Sequence, residues 1–200
     1  MLRLLWLVIG YGIGNMQSAY IVGRIMKVDL RQHGSGNLGT TNALRVLGKR
    51  AGAATFVLDI LKSVIAFIIC YQVFDNPLAG VYASFGAVLG HDFPFYLNFK
   101  GGKGIAATIG LIMCLSVVYR PYFALVTFGL GIAGVILSNM VSVGSLLFVI
   151  AIPIMCFVLK VPVEITGVTI AMGVLALFKH KENLIRLKNG NENKLIKKKS

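Results

Sequence analysis

Seven apolar stretches, at residues 4–26, 53–74, 78–97, 104–118, 122–138, 143–159 and 163–178, follow one another with short polar segments between them. A helix needs about 20 residues to cross a hydrocarbon layer of about 30 Å. The first three stretches meet that length. The last four fall short, so they are expected to sit in thinned bilayer, to extend through flanking polar residues or to border a water-filled notch. Charged residues are 14% of the chain and hydrophobic residues 56%, with a mean hydropathy of +0.80. A soluble domain wets its surface with roughly 25% charged residues. A soluble globule, a disordered chain and a disulfide-stapled secreted module are therefore excluded. The expected fold is all-α: a polytopic membrane helix bundle of seven transmembrane helices joined by short cytoplasmic Gly-rich loops. Residues 1–190 read as a single domain and 191–200 as a basic tail.

Residues 1–27 open like a signal peptide, but no small-residue cleavage site leads into a polar domain, so the segment reads as a membrane helix. Cys70, Cys114 and Cys156 lie in apolar runs with no paired or metal-ligand spacing and read as small buried hydrophobes. The charge is lopsided, 20 Lys and Arg against 7 Asp and Glu. In a soluble protein that excess would suggest nucleic acid; in a membrane protein it points to anionic headgroups or anionic substrates. If the first span exits into the cytoplasm, that side receives Arg24, Lys27, Arg31, Arg45, Lys49, Arg50, Lys100, Lys103 and all the tail cations. The other side receives Arg3, Arg120 and Lys160, with Lys62 left inside a span. The positive-inside rule then places the amino terminus outside and the tail in the cytoplasm.

The unusual polar sequence collects on that cytoplasmic side. Gly34-Ser35-Gly36-Asn37-Leu38-Gly39-Thr40-Thr41-Asn42 leads into a short helical run carrying Arg45 and Lys49, four residues apart and so on one helical face. Successive amides beside a helix N-terminus can cradle phosphate oxygens. Gly90-His91-Asp92-Phe93-Pro94-Phe95-Tyr96 leads to Phe99-Lys100-Gly101-Gly102-Lys103-Gly104 and directly into an apolar helix. This follows the logic of a phosphate loop without its GxxxxGK[ST] signature, with amides gripping oxygens and Lys103 supplying a point charge. His91 and Asp92 are sequence neighbours that point apart on regular structure, so they are not read as a dyad. Ser138 to Ser145 reads as a small-residue turn holding Ser142, and His180, Asn183 and Arg186 fall at i, i+3, i+6 along one edge. Asp59 and Lys62, at i, i+3 within the second span, are expected to pair or to face a polar cleft in a structural role.

Taken together, GSGNLGTTNALR at 34–45, LDILK at 58–62, GHDFPFYLNFKGGKGIAAT at 90–108, SVGS at 142–145 and HKENLIRLKNG at 180–190 resemble the bacterial acyl-phosphate:glycerol-3-phosphate acyltransferase family, PlsY. The resemblance covers nearly the whole chain. It implies seven spans, an extracytoplasmic amino terminus, and a carboxyl terminus and active site facing the cytoplasm at the bacterial inner membrane. It also implies transfer of a fatty acyl group from acyl phosphate to the 1-hydroxyl of glycerol 3-phosphate. The products would be lysophosphatidic acid and phosphate, at the first acylation step of phospholipid biosynthesis. No metal or organic cofactor is implied and no nucleic acid; the partners are the two substrates, the lipid bilayer and a soluble enzyme able to supply acyl phosphate. Gly14-Asn15-Met16-Gln17 stands where the family commonly reads Gly-Ser-Ile-Pro, so the first span is expected without that kink.

The resemblance carries glycerol 3-phosphate binding to Arg45, Lys103, Ser142, His180 and Asn183. Ser35, Arg45, Lys103 and His180 are the expected catalytic residues. Ser35, Gly36 and Asn37, with the amides of Gly101, Gly102 and Gly104, are expected to hold the acyl-phosphate head. The His-x4-Asp pair of other acyltransferases is absent: five residues beyond His33, His91 and His180 stand Leu38, Tyr96 and Ile185. The hydroxyl proton is therefore expected to pass to the donor's own phosphate. A small transporter or flippase for phosphorylated metabolites would also want cations and glycine-broken helices. A structural subunit recruiting anionic lipid through its lysine tail is a third reading.

Overall fold

The computed structural model describes residues 1–195, and these hold ten α-helices and no strand. In chain order they are α1 Leu2–Gly14, α2 Ser18–Ile25, α3 Thr40–Leu47, α4 Lys49–Phe74, α5 Pro77–Asp92, α6 Ile105–Val118, α7 Tyr122–Ser138, α8 Val141–Val158, α9 Val163–Lys179 and α10 Lys181–Lys188. The seven apolar stretches coincide with α1 plus α2, then α4, α5, α6, α7, α8 and α9. Contacts divide the chain into two compact units, Met1–Cys114 and the remainder from Leu115, a division that no shift of composition announces.

Two of the three stretches expected to be long enough are not continuous helices. The first breaks between Gly14 and Ser18, although it lacks the family's usual proline. The cause is hydrogen bonding: Asn15 turns its side-chain oxygen to the Phe95 amide (3.0 Å), and the Tyr96 hydroxyl donates to the Asn15 carbonyl (3.0 Å). The third stretch ends as a helix at Asp92, after 16 residues. Among the described residues, only α4 and α8 are long and apolar enough to cross a membrane unaided; α9 and α10, bent by 59° at their junction, together would make a third.

Lipid offers helices no hydrophobic reason to associate, so close van der Waals contact between small residues must do it. In the first unit α1 and α5 meet through glycine and alanine. A Cβ on Gly10 would lie 1.8 Å from the Ala83 carbonyl oxygen, and one on Gly86 would lie 2.1 Å from that of Leu7. Trp6 closes one end of this contact, edge-on to Phe74. Gly48, at φ +90°, separates α3 from α4, and Asn76 caps α5 through the Leu78 amide ahead of Pro77. In the second unit α7 and α8 repeat the device. A Cβ on Gly144 would fall 2.4 Å from the Gly131 carbonyl oxygen. Asn139, left-handed at φ +59°, makes the turn between them.

Candidate functional site

The first Gly-rich segment folds onto itself. Leu30 and Leu38 are buried with Ala19, Ala43 and Leu97, which roots the segment against α2 and α3. Asn42, almost fully buried, brackets the turn: its side-chain oxygen accepts the Ser35 amide (2.9 Å), and its NH2 donates to the Leu30 and His33 carbonyls. The Gly36 amide donates to the His33 carbonyl (3.1 Å). The amides of Ser35 and Gly36 are thus engaged internally, which corrects the expectation of an open amide cradle there. The Ser35 side chain remains exposed and Asn37 half-buried. Arg45 lies exposed in the last turn of α3, but Gly48 puts Lys49 on the next helix, so the two cations do not share a helical face. Arg31 grips Asp29 with a bidentate fork (2.8 Å), and that side-chain hydrogen bond holds the half-buried Asp29 carboxyl down at about 2.

The second segment departs from expectation in the same way. Gly102 donates its amide to the His91 carbonyl (3.0 Å) and Gly101 donates to that of Asp92 (3.2 Å). Those two amides are therefore not the grip on acyl phosphate that the sequence suggests. The glycines serve close approach instead. A Cβ on Gly101 would sit 2.0 Å from the His91 carbonyl oxygen, and one on Gly102 would sit 1.9 Å from His91 Nε2. Gly104, at φ +69°, packs on Val88 and Asp92. The chain between α5 and α6 is pinned to the end of α5 and delivers a half-buried Lys103 two residues before α6 starts. Gln17 holds the other side by donating to the His91 carbonyl, and the Tyr11 hydroxyl donates to that of Phe93 (2.8 Å). Asp59 and Lys62 do pair, at 2.9 Å, and His91 joins them.

In the second unit Ser142 lies in the first turn of α8 and His180 at the bend between α9 and α10. A residue that sequence reasoning missed organises this region. Glu192, assigned to the basic tail, is buried. One of its oxygens accepts from Ser142 Oγ (3.0 Å) and Asn183 Nδ2 (2.7 Å), the other from Arg186 Nε (2.8 Å). Gly190, at φ +69°, lets the chain turn back after α10, and the Leu195 amide then donates to the Asn139 carbonyl (2.7 Å). The remaining tail lysines, Lys197 to Lys199, lie outside the described residues. His180 Nδ1 stands 2.8 Å from the Ala176 carbonyl, which can only accept, so a neutral ring presents Nε2 as an acceptor. Among the described residues no three His, Cys, Asp or Glu side chains gather as metal ligands.

Burial alone would raise the Glu192 carboxyl, but the hydrogen bonds from Asn183, Arg186 and Ser142 outweigh it and hold the group below its ordinary value. A carboxyl lowered by folding stabilises the fold above its unfolded value, and that contribution is lost as pH falls through the folded value. Melting temperature against pH in detergent therefore separates wild type from Glu192→Gln most at neutral pH. The difference shrinks as the medium is acidified; a gap that stays constant with pH would contradict the assignment.

The structure thus joins Ser142 to Asn183 through Glu192, and it anchors the loops that carry Ser35, Arg45 and Lys103 to α2, α3 and α5. The family model for glycerol-3-phosphate acyltransferase matches residues 4–190. A glycerol-3-phosphate acyltransferase of Halalkalibacterium halodurans is 41% identical over 201 aligned positions, covering 96% of each chain. The crystal structure of PlsY, an integral membrane glycerol 3-phosphate acyltransferase, in its glycerol 3-phosphate form superposes with a TM-score of 0.87 at 32% identity. That match covers 96% of this chain and 94% of that one. The same protein's lysophosphatidic acid form gives 0.85 at 31% identity, with the same coverage. By sequence and by fold, this chain belongs to the glycerol-3-phosphate acyltransferase family and is a multi-pass membrane protein.

Proposed function

We propose that the protein transfers a fatty acyl group from acyl phosphate to the 1-hydroxyl of glycerol 3-phosphate, releasing lysophosphatidic acid and phosphate. It would act at the cytoplasmic face of a bacterial inner membrane, with its amino terminus outside, where a soluble enzyme can supply acyl phosphate. Arg45 and Lys103 bind the phosphate of glycerol 3-phosphate, and Ser142, His180 and Asn183 act on the same substrate. The side chains of Ser35 and Asn37 face the acyl-phosphate head. The observation that carries this reading is Lys103 itself: a half-buried ammonium on a loop whose glycines pin it to α5, in a family named for glycerol 3-phosphate.

The donor is a mixed anhydride with a good leaving group, so holding the two reactants together supplies much of the catalysis. The hydroxyl oxygen bonds to the acyl carbon, the bond from that carbon to the phosphate oxygen breaks, and the departing phosphate takes the hydroxyl proton. His180 Nε2, an acceptor when the ring is neutral, suits orientation of that hydroxyl.

Purified protein in detergent, given acyl phosphate and glycerol 3-phosphate without any sealed compartment, should release phosphate and form lysophosphatidic acid in equal amounts. A transporter or flippase produces neither under those conditions, and donor hydrolysis independent of glycerol 3-phosphate would overturn the reading.

A further inference from the structure

The buried charges of α4 take no part in the reaction proposed above, yet they hold the loop that does. Lys62 and Asp59 expose 0% and 1% of their side chains inside a 26-residue apolar helix. Charges so placed in a membrane helix are costly and call for a role. An apolar pair of similar volume would fill the space without desolvation, so stability alone does not account for them.

Their hydrogen bonds give them direction. Lys62 Nζ lies 2.9 Å from Asp59 Oδ1, 2.6 Å from His91 Nδ1 and 3.2 Å from the Met16 carbonyl, which the break between α1 and α2 leaves open. An ammonium has three protons and no lone pair, so these three acceptors use it fully. Ser18 Oγ donates to the same Asp59 oxygen (2.8 Å). His91 Nδ1 lies 2.6 Å from Lys62 Nζ and 3.3 Å from Asp59 Oδ1, so the ring is held by the pair, and its other edge, Nε2, is the one Gly102 packs against. The His91 carbonyl takes the Gly102 amide as well. Ring and backbone of His91 together fix the residue that precedes Lys103.

We propose that Asp59, Lys62 and His91 are positioning residues for acyl transfer, setting the Gly101–Lys103 loop so that Lys103 meets the phosphate of glycerol 3-phosphate. A reacting group must be held within a fraction of an ångström, and packing with directed hydrogen bonds behind it does this. The inference rests on Lys103 being a phosphate ligand, and the experiment separates the two.

Lys62→Met, Asp59→Leu/Lys62→Met, His91→Asn, His91→Leu, Lys103→Ala and Lys62→Met/Lys103→Ala are purified and assayed for melting temperature and for KM of each substrate. The apolar double variant at 59 and 62 should stay folded while its KM for glycerol 3-phosphate rises about tenfold or more, with the donor KM within about twofold of wild type. His91→Asn, whose side-chain oxygen can replace Nδ1 toward Lys62, should recover most of what His91→Leu loses. Lys62→Met should add nothing to Lys103→Ala, as expected for residues acting through one group. An unchanged KM in a folded variant at 59 and 62, equal effects of Asn and Leu at 91, or multiplicative effects of Lys62→Met and Lys103→Ala would overturn the inference alone. Should the variants at 59 and 62 fail to fold, the His91 pair decides. A Lys103→Ala protein with normal KM would remove the ligand role of Lys103, and the inference with it.

Discussion

Arg45→Ala and Lys103→Ala, each purified and assayed with saturating donor, should lose roughly ten- to a hundredfold or more in kcat/KM for glycerol 3-phosphate. A hydrogen bond from a charged donor to phosphate, removed from a partly desolvated site, costs about 1.5–3 kcal/mol, and about 1.4 kcal/mol is a factor of ten. Lys103 should show the larger loss. Its side chain is half-buried and the two glycines before it are pinned to the end of α5, whereas Arg45 stands exposed at the last turn of α3. Substituting arginine for Lys103 should not restore the wild-type rate, because a planar fork on the same backbone reaches a different point than a compact ammonium. Melting temperatures of all three variants, measured alongside, separate a loss of binding from a loss of folding. A near-normal rate in either alanine variant would mean that the cationic site lies elsewhere.

The second large effect concerns folding. Gly10→Ala and Gly86→Ala should each yield little folded protein, and Gly12→Ala should behave as wild type. The added Cβ at positions 10 and 86 would fall 1.8 Å and 2.1 Å from carbonyl oxygens of the facing helix, whereas nothing lies within 4 Å of one at position 12. The obstructing atoms are backbone, so no rotamer change relieves them and α1 must move off α5. Overpacking of this kind costs about 3 kcal/mol, a large share of the stability of a small protein. Melting temperature and monodispersity in detergent measure it. The comparison of residues 10 and 12 on one helix controls for the general effect of replacing glycine. Equal stability of the three variants would show that α1 and α5 do not pack as closely as described.

The helical class and the position of most helices were legible because apolar stretches this long permit little else in lipid. The break after Gly14 was not legible. It depends on Asn15 and Gln17 meeting residues 91–96, contacts some 80 positions away, and proline was the wrong signal to look for. The two Gly-rich loops were found, but the reason for their glycines was misjudged. Sequence shows where a backbone can come close, not what it comes close to; here several of the approaches are to His91 and Asp92, not to a ligand. Glu192 was hidden among lysines of the tail. Gly190 two residues earlier was the one local hint that the chain turns back. The Asp59–Lys62 pair was legible from its spacing, whereas its link through His91 to the Lys103 loop needed the fold.

Direct binding of glycerol 3-phosphate, followed by calorimetry on purified protein with no acyl donor present, tests the central claim with the fewest intermediate steps. Wild-type protein should bind one equivalent, with affinity falling as salt is raised and about tenfold or more weaker in both Arg45→Ala and Lys103→Ala. Binding of unchanged strength in both variants would contradict the account.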